Sequence, residues 1–61
     1  MARAGDRVEI HPALDLWMRG ARYGDVVDVR RDGRLVVKLD RVKKPIVLRG
    51  EQDLFRNFSV A

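Results

Sequence analysis

The 61-residue chain contains no cysteine and a single histidine. Disulfides and thiolate metal sites are therefore excluded, and one imidazole cannot build a histidine-based zinc site. The nine carboxylates are scattered rather than clustered, so neither a metal nor a cofactor is expected. No run approaches the roughly 18–20 consecutive apolar residues that cross a bilayer. The opening "MARAGDRVEI" lacks the apolar segment of a secretory signal. Absence of cysteine also suits a reducing compartment, and the expected setting is cytoplasmic, with no membrane contact. Gly-rich phosphate cradles, triad spacings and metal motifs are missing too, which points to a non-catalytic protein. Asp15 and Asp25 are isolated carboxylates that read as turn formers and arginine partners. His11, followed by Pro12, reads as the end of a strand. One domain spanning 1–61 is the most that this length allows. Such a domain buries only about 60% of the surface its unfolded chain exposes. A chain this short and without disulfides must gain stability from a compact fold or from self-association, so a homo-oligomer stays open.

What remains is a pattern of short β-branched runs with poor helical periodicity. "RVEIH" (Arg7 to His11) alternates, with Val8 and Ile10 on one face. "DVVDVRR" (Asp25 to Arg31) is a second strand, in which the double valine allows a bulge around Val26. Asp32-Gly33 is a hairpin signal of the type I′ kind, which needs φ > 0 at both central residues. "RLVVKLD" (Arg34 to Asp40) follows, sending Leu35, Val37 and Leu39 inward and Arg34 and Lys38 outward. "PIVLR" (Pro45 to Arg49) is a fourth strand, with Pro45 at its start, where no ladder donor is needed. "EQDLF" (Glu51 to Phe55) reads as one 3₁₀ turn, and "RNFSV" (Arg56 to Val60) as a fifth strand. The expected fold is all-β: a five-stranded small barrel with a long loop after the first strand and a 3₁₀ turn before the last. Closing the sheet on itself would remove its edges. The expected core is Val8, Ile10, Val27, Val29, Leu35, Val37, Leu39, Ile46, Leu48, Leu54 and Phe55.

Thirteen basic residues face nine acids, a net charge of +4. Between Arg30 and Arg49 eight basic residues stand against two acids, a local net of +6. Such asymmetry suits a polyanion or an acidic partner surface. A solvated surface with ordinary ion pairing is the alternative. The candidate binding residues are Arg19, Arg22 and Tyr23 in and after the long loop, Arg34 and Lys38 on the third strand, and Arg41, Lys43 and Lys44 in the next loop. Ten of the thirteen cations are arginine, whose planar fork matches phosphate in a bidentate way. An aromatic ring beside arginine, as at Tyr23, can stack a base. The loop "HPALDLWMRGARYG" holds the only tryptophan. Trp17 reads as a lid over one open end of the core, with a binding platform as the alternative. The function expected from these residues is nucleic-acid binding through the phosphate backbone; the alternative is a protein-docking module, meeting an acidic protein surface, or a small subunit of a larger assembly.

"GDRVEI" followed by "RGARYGDVVDV" resembles a KOW-type element, a module that occurs in SH3-like barrels of ribosomal proteins and transcription elongation factors. The whole chain is also similar to the SH3-like barrels typified by a small component of photosystem I, with "LWMRGARYGDVVDV" and "RLVVKLDRV" at the aromatic loop and the second and third strands. It resembles as well short uncharacterised bacterial and phage proteins with the pattern "GDRVE.HPA.D.WM.G.RYG.V". These likenesses imply an SH3-like barrel that binds RNA or docks a protein. The type II dihydrofolate reductases share the architecture and work as tetramers. Their pore depends on a Val-Gln-Ile-Tyr segment, where this chain has "PIVL" with neither Gln nor Tyr, so that activity is not expected.

Overall fold

The computed structural model describes residues 2–58. Its elements are β1 (Arg7–Ile10), α1 (Asp15–Met18), β2 (Tyr23–Val29), β3 (Leu35–Leu39), β4 (Ile46–Leu48), a 3₁₀ turn (Glu51–Asp53) and β5 (Leu54–Asn57). The strands form one antiparallel sheet of five in the order β4-β3-β2-β1-β5. The hydrogen-bonded order is open: among the described residues no ladder joins β4 to β5. The element order agrees with the sequence pattern, with three adjustments. β2 spans Tyr23–Val29 rather than Asp25 to Arg31, which puts Tyr23 on the strand. The loop after β1 winds into the single helical turn α1. The last strand starts at Leu54 rather than Arg56, because Leu54 takes the position opposite Ile10. Val60, placed by the sequence pattern at the end of that strand, lies outside the described residues.

One face of the sheet carries the core. Val8, Ile10, Val26, Leu35, Val37, Leu39 and Leu48 are buried together with Ala2 and Ala21. Leu14, Leu16, Trp17, Val42, Ile46 and Leu54 close over them as partly buried neighbours. Three residues expected in the core are not there: Val27 is 50% exposed, Val29 37% and Phe55 48%. Val27 and Phe55 are displaced by bulges. The β2–β3 register runs Val26↔Val37 and then Asp28↔Val36, leaving Val27 as the extra residue. The β1–β5 register runs Glu9↔Arg56 and then Ile10↔Leu54, leaving Phe55 as the extra one. One added residue reverses which parity faces inward, so Val26 fills the core and Val27 does not. Val29 pairs with Leu35 beside the hairpin mouth.

The hairpin also departs from the expected type I′ geometry. Gly33 has φ +92°, but Asp32 is not among the positive-φ residues. The Gly33 amide donates to the Arg30 carbonyl at 3.0 Å and the Arg30 amide to the Arg34 carbonyl at 2.8 Å. This is a three-residue loop with glycine in its left-handed position. Asp32 avoids a strained φ and accepts the Arg34 amide on its side chain at 3.2 Å.

Gly24 is buried in β2 opposite Leu39. A Cβ here would lie 2.7 Å from the Lys38 carbonyl oxygen and 2.9 Å from the Leu39 Cα. Both are backbone atoms and cannot move aside without separating β2 from β3. Gly24→Ala should therefore cost about 1–3 kcal/mol in chemical denaturation. A midpoint equal to the parent's would contradict the close approach.

Asp53 fastens the connection between the two edge strands. Its carboxylate is buried, at 4% exposure. It accepts the Arg49 amide at 3.0 Å, Arg49 Nε at 3.2 Å and Arg49 Nη2 at 2.6 Å. Its carbonyl accepts the His11 amide at 2.8 Å, tying the end of β1 to the same turn. The Arg49 guanidinium holds the Asp53 carboxyl below its usual range, against the opposing effect of burial. Because folding depresses this pKa, the stabilisation is complete above the ordinary carboxylate value of 3.8. It is lost as pH falls through that value towards the lower folded one. Asp53→Ala strands the Arg49 amide and should cost about 2–3 kcal/mol at neutral pH. The gap between the acid unfolding curves of parent and variant should narrow as pH falls below about 4; a constant gap between them would assign the loss to packing instead.

Candidate nucleic-acid interface

The site is set by which cations the carboxylates neutralise. Arg7 on β1 pairs with Asp40 through two hydrogen bonds and with Asp25 at 3.4 Å. Arg34 pairs with Asp32 at 3.2 Å, and Arg49 with Asp53. Lys38 is half-buried, and its ammonium donates to the carbonyls of Val42 and Leu39, the latter at 3.1 Å. Arg34 and Lys38, expected to present one charged face together, are thus separated and partnered. Arg34 sits at the hairpin mouth. Lys38 lies opposite Asp25 and turns its charge onto the β3–β4 loop. Arg19, Arg22, Arg41, Lys43 and Lys44 form no ion pair among the described residues.

Four of these five converge. Two adjoining grooves run between the α1–β2 connection and the loop after β3, sharing Gly20 and Arg41. The first, about 400 Å³, is lined by Gly20, Arg22, Tyr23, Asp40 and Arg41. The second, about 410 Å³, is lined by Leu16, Arg19, Gly20, Ala21, Arg41, Val42 and Lys43. The Gly24↔Leu39 pairing brings the two walls together, and the Asp40 amide donates to the Tyr23 carbonyl at 2.8 Å. Arg41 takes φ +66°, the one positive φ outside glycine among the described residues. That left-handed position costs free energy in an arginine, and it lies at the junction of the two grooves. Lys44 is exposed on the same loop but lines neither groove.

Trp17 covers part of the core and carries Arg22 on its ring. It is half-buried against the core, and the Arg22 guanidinium lies 4.0 Å from its ring centroid. A cation over the indole face is held there by the ring's quadrupole. The Trp17 Nε1 is buried without a partner among the described residues. Tyr23 is 42% exposed, with the Phe58 ring 6.0 Å away and tilted by 40°. Among the described residues Asp40 is the one carboxylate on the groove walls. The Arg7 guanidinium holds it below the usual carboxylate range.

Sequence reasoning identifies Arg19, Arg22, Tyr23, Arg41 and Lys43 one by one. It misses Asp40 as a wall residue and the Arg22–Trp17 stack. The spacing of five residues between those two is a weak signal, because the helical turn between them decides whether they meet. Chemically, the grooves offer guanidinium forks, one ammonium and one phenol. Among the described residues no three metal-ligating side chains converge, and no helix is long and apolar enough to cross a membrane. Compared with protein-family models, curated proteins and solved structures, the chain finds no match.

Proposed function

We propose that the protein is a non-catalytic nucleic-acid-binding module that grips the phosphate backbone along the two grooves. One observation carries this reading. Arg7, Arg34 and Arg49 are matched by carboxylates, whereas Arg19, Arg22, Arg41 and Lys43 meet from two separate loops without an ion pair among the described residues. Unpaired cations that converge repel one another in the free protein, and a polyanion relieves that repulsion. Arginine forks add bidentate contacts to phosphate oxygens. Because the contacts fall on the backbone, binding should be largely independent of sequence. The strand order, with a 3₁₀ turn linking β4 to β5, supports reading the sheet as an SH3-like small barrel. In that reading the grooves open at the end covered by α1.

A second reading, docking to another protein, is favoured by a different, apolar surface. Val27 and Val47, 50% and 52% exposed, flank Val36 across β2, β3 and the edge strand β4.

Salt dependence separates the two. Each phosphate contact contributes about 0.7–0.9 to the slope of log affinity against log salt. Lys43→Glu with Lys44→Glu should lower both affinity and that slope while leaving the fold intact, since exposed charges contribute little to stability. Arg30→Glu with Arg31→Glu makes the same charge change on the hairpin, outside the grooves, and should change the slope less. Equal effects from both pairs would mean diffuse attraction. No binding of any oligonucleotide at low salt would leave the protein-docking reading.

A further inference from the structure

The two grooves differ in charge, and the difference specifies what each accepts. The groove at Arg19 and Lys43 contains no carboxylate among its lining residues. The groove at Tyr23 contains Asp40. The Tyr23 groove sets Arg22 and Arg41 against one carboxylate, whereas the other sets Arg19, Arg41 and Lys43 against none, so a phosphate favours the groove at Arg19 and Lys43, with Arg41 shared between the two. The Tyr23 groove then suits an uncharged planar group. Its exposed phenol ring has Phe58 beside it, and Arg22, held over the Trp17 ring, lines the same groove. Its volume, about 400 Å³, is in the range of small-molecule sites. A duplex keeps its bases stacked inside and leaves such a ring unused, whereas a single strand can turn one base outward onto it.

We propose that the protein prefers single-stranded nucleic acid, holding one unpaired base on Tyr23 while the adjacent phosphate lies against Arg19, Arg41 and Lys43. This rests on the nucleic-acid reading above and narrows it to one class of strand. Asp40 stays ionised at the groove wall because Arg7 compensates it from the neighbouring strand.

The test is fluorescence anisotropy with three labelled 12-mers: a mixed-sequence strand, its duplex, and an abasic strand of the same length. The strand should bind about tenfold or more tighter than the other two at equal salt. Tyr23→Ala should weaken strand binding by about 5- to 100-fold, and Tyr23→Phe should retain it. Neither variant should change the abasic affinity, which also reports that the fold is intact. If strand, duplex and abasic probe bind equally, the base site is wrong and the backbone reading stands. If none binds at low salt, both readings fall. Tyr23→Ala weakening all three probes alike would also overturn the base site.

Discussion

The backbone contact between Gly24 and Leu39 is the constraint on which both fold and site depend. A side chain at Gly24 would meet the β3 backbone within 3 Å, so the close approach of β2 to β3 at this position requires a residue without a Cβ. That approach sets Tyr23 beside Asp40 and, one residue further on, Arg22 beside Arg41. The grooves are the space left where the two strands diverge into α1 and the loop after β3. Glycine is required here by proximity rather than by its backbone angles. Gly33 illustrates the other requirement, a left-handed turn.

A small core makes the placement of charge decisive. Seven aliphatic side chains and two alanines form the buried cluster, and the strands that carry them have short reach. Asp53 links the exits of β1 and β4 through hydrogen bonds that the apolar core does not provide, its buried carboxylate accepting from Arg49 and its backbone carbonyl from the His11 amide. Arg7 crosses from β1 to Asp25 on β2 and to Asp40 beyond β3, so one cation joins three strands. Asp25, Asp40 and Asp53 are engaged by Arg7 and Arg49. Arg19, Arg22, Arg41 and Lys43 in turn form no ion pair among the described residues.

Much of the sheet was legible because alternation is a local property. Leu35, Val37 and Leu39 face inward as their spacing requires, and the hairpin sits at Asp32-Gly33. The bulges were less legible. In "DVVDV" valines occupy both parities, so the sequence permits either face, and the choice of Val26 is made by its pairing with Val37. Phe55 is misplaced for the same reason at the β1–β5 edge. The site followed the same division. Arg19, Arg22, Tyr23, Arg41 and Lys43 were legible as loop residues of the right chemistry. Arg34 and Lys38 were not separable from them, because their partners are an aspartate across the hairpin turn and a carbonyl in the following loop. Lys44 shares the loop of Lys43 yet lies outside both grooves, a distinction of backbone geometry rather than composition.

Backbone amide shifts measured by NMR during titration with a short single-stranded oligonucleotide test the central claim most directly. The account predicts that the largest changes fall in two separate segments, residues 19–23 and 40–44, and that they saturate together with one affinity. Amides of the hairpin, residues 30–34, and of the valine surface at Val27 and Val47 should change little. Changes centred on the hairpin or on β4, with the two groove segments silent, would contradict it.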